Sequence, residues 1–150
     1  MSDPVDHQNT TSLDNAVAFQ IHRFARLLRY NLQRMLREQA DGLTPEQWFI
    51  LFRLYEQDGQ TQAELADRAL NDRPNITRML DKLEQKQLVA RTAHPQDRRS
   101  YRIFLSRSGR SFVEAMFPKM IEERQRIFSG VSNEDLAHLL TTLKEIEKNL

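Results

Sequence analysis

NDRPNITRMLDKLEQKQLVARTAHPQDRRSYRIFLSRSGR, residues 71–110, is the stretch that decides the fold. Ile76, Met79, Leu80 and Leu83 recur at three- and four-residue spacing, which predicts a helix with one buried stripe. That stripe turns Arg73, Asn75, Thr77, Arg78, Asp81, Lys82 and Gln85 outward. Asn71 or Asp72 can cap the start, and Pro74 is tolerated in the first turn. Residues 88–92 and 101–105 then read as two strands around the turn His94-Pro95-Gln96-Asp97-Arg98-Arg99-Ser100, a small hairpin appended to the helix. Ten basic residues stand against four acidic ones in the stretch, a net charge of +6. A chain of 22 basic and 21 acidic residues then keeps −5 for the remainder. A near-neutral total thus conceals a basic module on an acidic frame, the footprint of a surface that docks on a polyanion.

Working outward, Thr44-Pro45-Glu46-Gln47 is a helix start: Thr44 caps, Pro45 suits the first turn and Gln47 closes a capping box, with Leu43 placed to staple onto Trp48. Trp48, Phe49, Ile50, Leu51, Phe52, Leu54 and Tyr55 are apolar on nearly every face, so this helix is expected to be central and buried. Asp58-Gly59-Gln60 turns the chain. Thr61-Gln62-Ala63-Glu64 is a second capping box, opening a short helix with Leu65, Ala66 and Ala69 inward. Two short capped helices followed by a polar-faced one form a helix-turn-helix pattern, and the hairpin makes it the winged form.

The flanks are long amphipathic helices. Ile21, Phe24, Leu28, Leu32 and Met35 mark the first, which ends near Gly42. Phe112, Met116 and Met120 beside Val113, Phe117 and Ile121 mark another from about Ser108, with a bend expected at Pro118. After Ser129-Gly130, a cap at Ser132 opens a last helix carrying Leu136, Leu139, Leu140, Leu143, Ile146 and Leu150, close to a heptad seam. Both terminal stripes need an apolar partner, and a second copy of the chain would supply it. The expected class is mainly α with a small β-hairpin wing. Residues 1–12 are a flexible arm, 13–42 and 108–150 a helical dimerisation region, and 43–107 the winged helix-turn-helix, in one interlaced domain.

Several classes find no support. No apolar run approaches the roughly 18 residues of a membrane span, and the N-terminus lacks the basic-then-apolar order of a signal peptide, so a cytoplasmic protein without membrane contact is expected. There is no cysteine, hence no disulfide and no thiolate metal site. His7, His22, His94 and His138 are scattered, and His22 lacks a ligand partner three or four residues on. Phosphate loops, nucleophile elbows and zincin motifs are absent from the sequence. An enzyme, a resident metal and a cofactor are not expected.

The order of Leu43-Thr44-Pro45-Glu46-Gln47-Trp48, Gln62-Ala63-Glu64-Leu65-Ala66, residues 75–84, Leu88-Val89-Ala90-Arg91 and Asp97-Arg98-Arg99-Ser100 resembles the MarR family of transcriptional regulators across about residues 13–148. One departure is Gln87, where the family usually has glycine at the end of the recognition helix. The resemblance implies a homodimer whose terminal helices interlock and whose winged modules grip a pseudo-palindromic double-stranded DNA operator.

The chemistry of the residues stands beside it. On the recognition helix Arg78 can give two hydrogen bonds to guanine, Asn75 can pair with adenine, Thr77 can meet a thymine methyl or a phosphate, and Pro74 offers apolar contact. Arg73 and Lys82 complete the basic face. On the wing, Arg99 suits the minor groove, held by a bidentate pair from Asp97, while Arg98 and Arg91 suit phosphate. His22, Arg26, Tyr30, Trp48 and Phe52 form an aromatic and cationic set that could hold a small aromatic or anionic effector. Two other readings keep the fold: a winged-helix RNA-binding protein, and a module whose basic wing meets an acidic protein.

Overall fold

The computed structural model describes residues 12–13, 16–39, 42–69 and 73–150. The expected arm, save Ser12, and the cap at Asn71 or Asp72 lie outside them, as do the side chains of Ala69 and Arg73. The elements run α1 (Val17–Gln39), α2 (Pro45–Glu56), β1 (Gln60–Thr61), α3 (Gln62–Ala69), α4 (Arg73–Gln85), β2 (Val89–His94), β3 (Asp97–Leu105), α5 (Arg107–Ile127) and α6 (Asn133–Glu147). Two compact units emerge, Met1–Arg110 and Ser111–Leu150.

In the first unit both capping boxes form as their residue types require. Thr44 Oγ1 accepts from the Gln47 backbone N–H at 3.3 Å, and Gln47 Oε1 accepts from the Thr44 N–H at 3.0 Å. Thr61 and Glu64 exchange the same pair of bonds at 3.2 and 2.7 Å. Each satisfies two backbone donors that a helix start would otherwise leave without a partner. The core gathers Leu36, Leu43, Trp48, Leu51 and Leu54 with Leu65, Ala66, Ile76, Leu80, Leu83, Val89 and Ile103. The expected stripe of α4 is buried throughout, and a fully buried leucine such as Leu80 contributes roughly 1.5–3 kcal/mol. α2 is less enclosed than its composition implied: Phe49 is 55% exposed, and Phe52 and Tyr55 are half-buried.

The sheet differs from the expected hairpin in two ways. It has three strands in the order β1-β3-β2, because Gln60 and Thr61 pair with Ile103 and Arg102. Gln60 is buried there, and its amide nitrogen donates to the Arg53 and Gln57 carbonyls at 2.8 and 2.6 Å, closing the C-terminal turn of α2. The wing turn is also much shorter than the seven residues expected. His94 pairs directly with Asp97, so only Pro95 and Gln96 connect the strands. The register steps from Ala93↔Tyr101 to His94↔Asp97, which leaves Arg98, Arg99 and Ser100 without opposite residues on β2. Such a bulge keeps the ladder while turning extra side chains out of it.

Between α4 and β2, Leu88 N–H bonds Leu83 O at 3.0 Å and Gln87 N–H bonds Glu84 O at 2.9 Å, the paired closure of a Schellman motif. The pivot is Gln87 at φ 59°, a left-handed conformation that glycine adopts more cheaply. Ser106 Oγ and Ser108 Oγ both donate to the Gln87 carbonyl, at 2.6 and 2.8 Å, so its backbone is held in place. Gln87→Gly is therefore expected to stabilise the chain by about 0.5–1 kcal/mol, read as a raised urea midpoint at unchanged slope. A lowered midpoint would show that the glutamine side chain itself contributes. Nearby, Gly109 admits no side chain, since an added Cβ would lie 2.0 Å from the Leu88 carbonyl oxygen.

In the second unit Ser132 caps α6, its Oγ accepting from the Asp135 N–H at 3.0 Å. α6 has no buried residue: Leu139 is 46% exposed, Leu143 37% and Ile146 41%. α1 in the first unit leaves a similar stripe open, with Val17, Ile21, Phe24 and Leu27 exposed. Among the described residues no helix is long and apolar enough to cross a membrane.

Candidate nucleic-acid interface

α4 presents its polar face as its period dictates. Pro74, Arg78 and Lys82 are exposed and Asn75 and Thr77 half-buried, while Arg73 is the first residue of the helix. Asn75, Arg78 and Lys82 border one open hollow of ≈ 430 Å³, together with Thr44, Glu46 and Gln47 from the first turn of α2. The sequence gave no sign that α2 would lie there. Thr77 is drawn inward: its hydroxyl accepts a hydrogen bond from the Gln62 amide, which ties α4 to α3.

Two acids on α4 would oppose a polyanion, and the fold neutralises both. Arg91 on β2 reaches Asp81 at 2.7 Å and Glu84 at 2.6 Å, and also donates to the Thr77 carbonyl at 3.4 Å. Its side chain is only 18% exposed. The expectation that Arg91 meets phosphate is thereby corrected: it is spent on clamping the base of the wing to α4. The result leaves Arg78 and Lys82 as the charge that α4 offers outward.

On the wing Asp97, Arg98 and Arg99 are all exposed at the start of β3 rather than inside a long turn. The expected bidentate pair between Asp97 and the Arg99 guanidinium does not form. Asp97 Oδ1 instead accepts from the Arg99 backbone N–H at 2.9 Å. A short side chain reaches the backbone two residues on more readily than it reaches the end of a long neighbour, which is why such turns favour aspartate. On the other arm His94 Nδ1 accepts from the Gln96 N–H at 3.1 Å. Both sides of the tip are thus pinned locally.

The expected effector set is not gathered in one cavity. His22, Arg26 and Tyr30 are exposed on α1, Tyr30 at 69%. Trp48 is buried, with its ring centroid 6.0 Å from that of half-buried Phe52. The cleft that the first unit does form lies over α2, α3 and α4, and of the five residues only Phe52 borders it. Among the described residues no group of three or more histidines and acids is placed to hold a metal ion.

Comparison with known proteins bears on this arrangement. The family model described as MarR family matches residues 43–101, the segment that carries the capping boxes, α4 and the wing. Among solved structures, the chain is similar to S. aureus MepR in a complex with DNA, at 29% identity and a TM-score of 0.78, covering 88% of this chain and 96% of that one. It is similar to the transcriptional repressor CouR bound to a 23-mer DNA duplex, at 27% identity and a TM-score of 0.81 over 93% and 97% of the two chains. A MarR-family regulator from Silicibacter pomeroyi matches at 25% identity and a TM-score of 0.77, over 93% and 92%.

Proposed function

The chain belongs to the MarR family of transcriptional regulators, and on that premise we propose that it binds a pseudo-palindromic duplex operator as a homodimer, α4 in the major groove and the wing in the minor groove. The observation that carries this reading is the outward charge of one surface: Arg78 and Lys82 on α4 and Arg98 and Arg99 on the wing face water, while Arg91 absorbs the two carboxylates that would repel phosphate. Two solved relatives with this fold, MepR and CouR, are held on DNA. In the proposed complex Arg78 and Asn75 read base edges, and Thr77, already engaged with Gln62, adds a methyl contact. Arg73, Lys82 and Arg98 meet phosphate. Pro74 fills apolar space beside them. The exposed stripes of α1 and α6 pair with those of a second copy, which sets two α4 helices about one helical turn apart.

The wing supplies the test. Arg99→Ala is expected to weaken binding most at sites with A·T-rich flanks, where the narrow groove concentrates negative potential. Arg98→Ala should weaken all sequences alike and flatten the dependence of log affinity on log salt by about one unit per lost contact. Asp97→Ala discriminates more sharply, because two effects predict opposite signs. Losing a negative charge near DNA favours tighter binding, whereas losing the bond that fixes the Arg99 backbone favours weaker binding. Weaker binding at fixed salt is expected. Tighter binding would remove the positioning role of Asp97.

A further inference from the structure

Above α2 the first unit holds a cleft of ≈ 390 Å³, within the range that takes small molecules. Ile50, Phe52, Leu65 and Met79 give it an apolar lining, and Phe49 forms a lip that is 55% exposed. The rim carries Glu46, Glu56, Arg53 and Arg68. Three of these charges are already matched within the protein, Glu46 by Arg29 at 2.9 Å and Glu56 by Arg53 at 3.2 Å. Arg68 differs. Its guanidinium donates to the neutral Gln57 amide oxygen at 3.3 Å, and among the described residues no carboxylate pairs with it.

We propose that this cleft binds a small amphipathic anion, a flat apolar body bearing one carboxylate, with the carboxylate on Arg68. Phe49 and Phe52 offer ring faces to a planar body, and covering Phe49 removes apolar surface that the chain otherwise leaves in water. A guanidinium with only a neutral partner is the group that gains most from a carboxylate, through two parallel charge-assisted hydrogen bonds. The charged rim suits a ligand of mixed character better than a wholly apolar one. Because Met79 lies on α4, an occupant touches the same helix that carries Arg78.

Trp48, the chain's only tryptophan, adjoins Phe52 and can report occupancy. The full-length protein is titrated with para-ethylbenzoate and, as the neutral arm, para-ethylbenzyl alcohol, following Trp48 emission and calorimetric heat in parallel. Saturable binding of the carboxylate is expected, with the alcohol weaker by about ten-fold or more and a similar loss in Arg68→Gln at unchanged melting temperature. Absence of saturable binding by both readouts, equal affinity for the alcohol, or an unaffected Arg68→Gln would each overturn the proposal. A fourth outcome would overturn it in favour of another occupant: if Phe49→Glu lowers the sedimentation coefficient, the cleft is filled by a second copy of the chain.

Discussion

Arg78→Ala is expected to cost about 1–3 kcal/mol of operator binding per lost base contact, or ~5- to 150-fold in each subunit, with a much smaller loss on random duplex. The asymmetry follows from what arginine can do at each site. A bidentate contact to one base edge exists only where that base is present, whereas charge attraction to phosphate is indifferent to sequence. Arg78 is exposed on α4 and borders the same hollow as Asn75 and Lys82, so its removal leaves no core vacancy and the folded state should persist. Competitive titration of operator and scrambled duplex at one salt concentration measures the effect. Equal losses on both would reassign Arg78 to phosphate, and no loss on either would move the reading face away from α4.

Replacing Leu139 and Leu143 together by glutamate is expected to dissociate the homodimer. Both leucines are substantially exposed in the single chain, so the charges disturb an interface rather than a core. Each leucine buried on pairing contributes roughly 1.5–3 kcal/mol, and the change applies in both copies. Sedimentation at micromolar concentration should give the mass of two chains for the parent and of one for the variant, with helical circular dichroism retained. Operator affinity should then fall by about 10²–10⁴-fold, as two half-sites are no longer engaged by one particle. A parent with the mass of a single chain would contradict the dimer outright.

What the sequence revealed was what is local. The boxes at Thr44 and Thr61 and the stripe of α4 depend on residues three or four apart, and all three appear where their spacing puts them. The left-handed pivot fell at Gln87, the position whose departure from glycine stood out. What stayed hidden depends on distant partners. β1 is two residues long and exists only because Ile103 and Arg102 pair with it, so no period could mark it. Asp97, Arg98 and Arg99 read as turn because charged residues are poor strand formers, yet the register with β2 carries the strand past them. Arg91 read as a free cation because its acids lie on another element, ten and seven residues back. Phe49 read as core because α2 is apolar almost all round, although one side of that helix opens onto a cleft.

The effector set failed for a related reason. His22, Arg26 and Tyr30 share a helix face by spacing, but convergence on Trp48 and Phe52 is a matter of packing between helices, which spacing does not specify. The cleft was equally illegible, since Phe49, Leu65, Arg68 and Met79 come from three helices.

Sequence-selective binding of duplex DNA is the claim on which the rest depends, and it can be measured directly. Genomic fragments retained by the purified protein yield a candidate operator. That operator is then competed against scrambled duplex, an RNA of the same sequence and an acidic protein at one near-physiological salt concentration. Preference for the operator duplex over scrambled duplex by about 10³-fold or more is the expected result, with RNA and the acidic protein weaker still. Equal competition by all four polyanions, or a preference for RNA or the acidic protein, would contradict it.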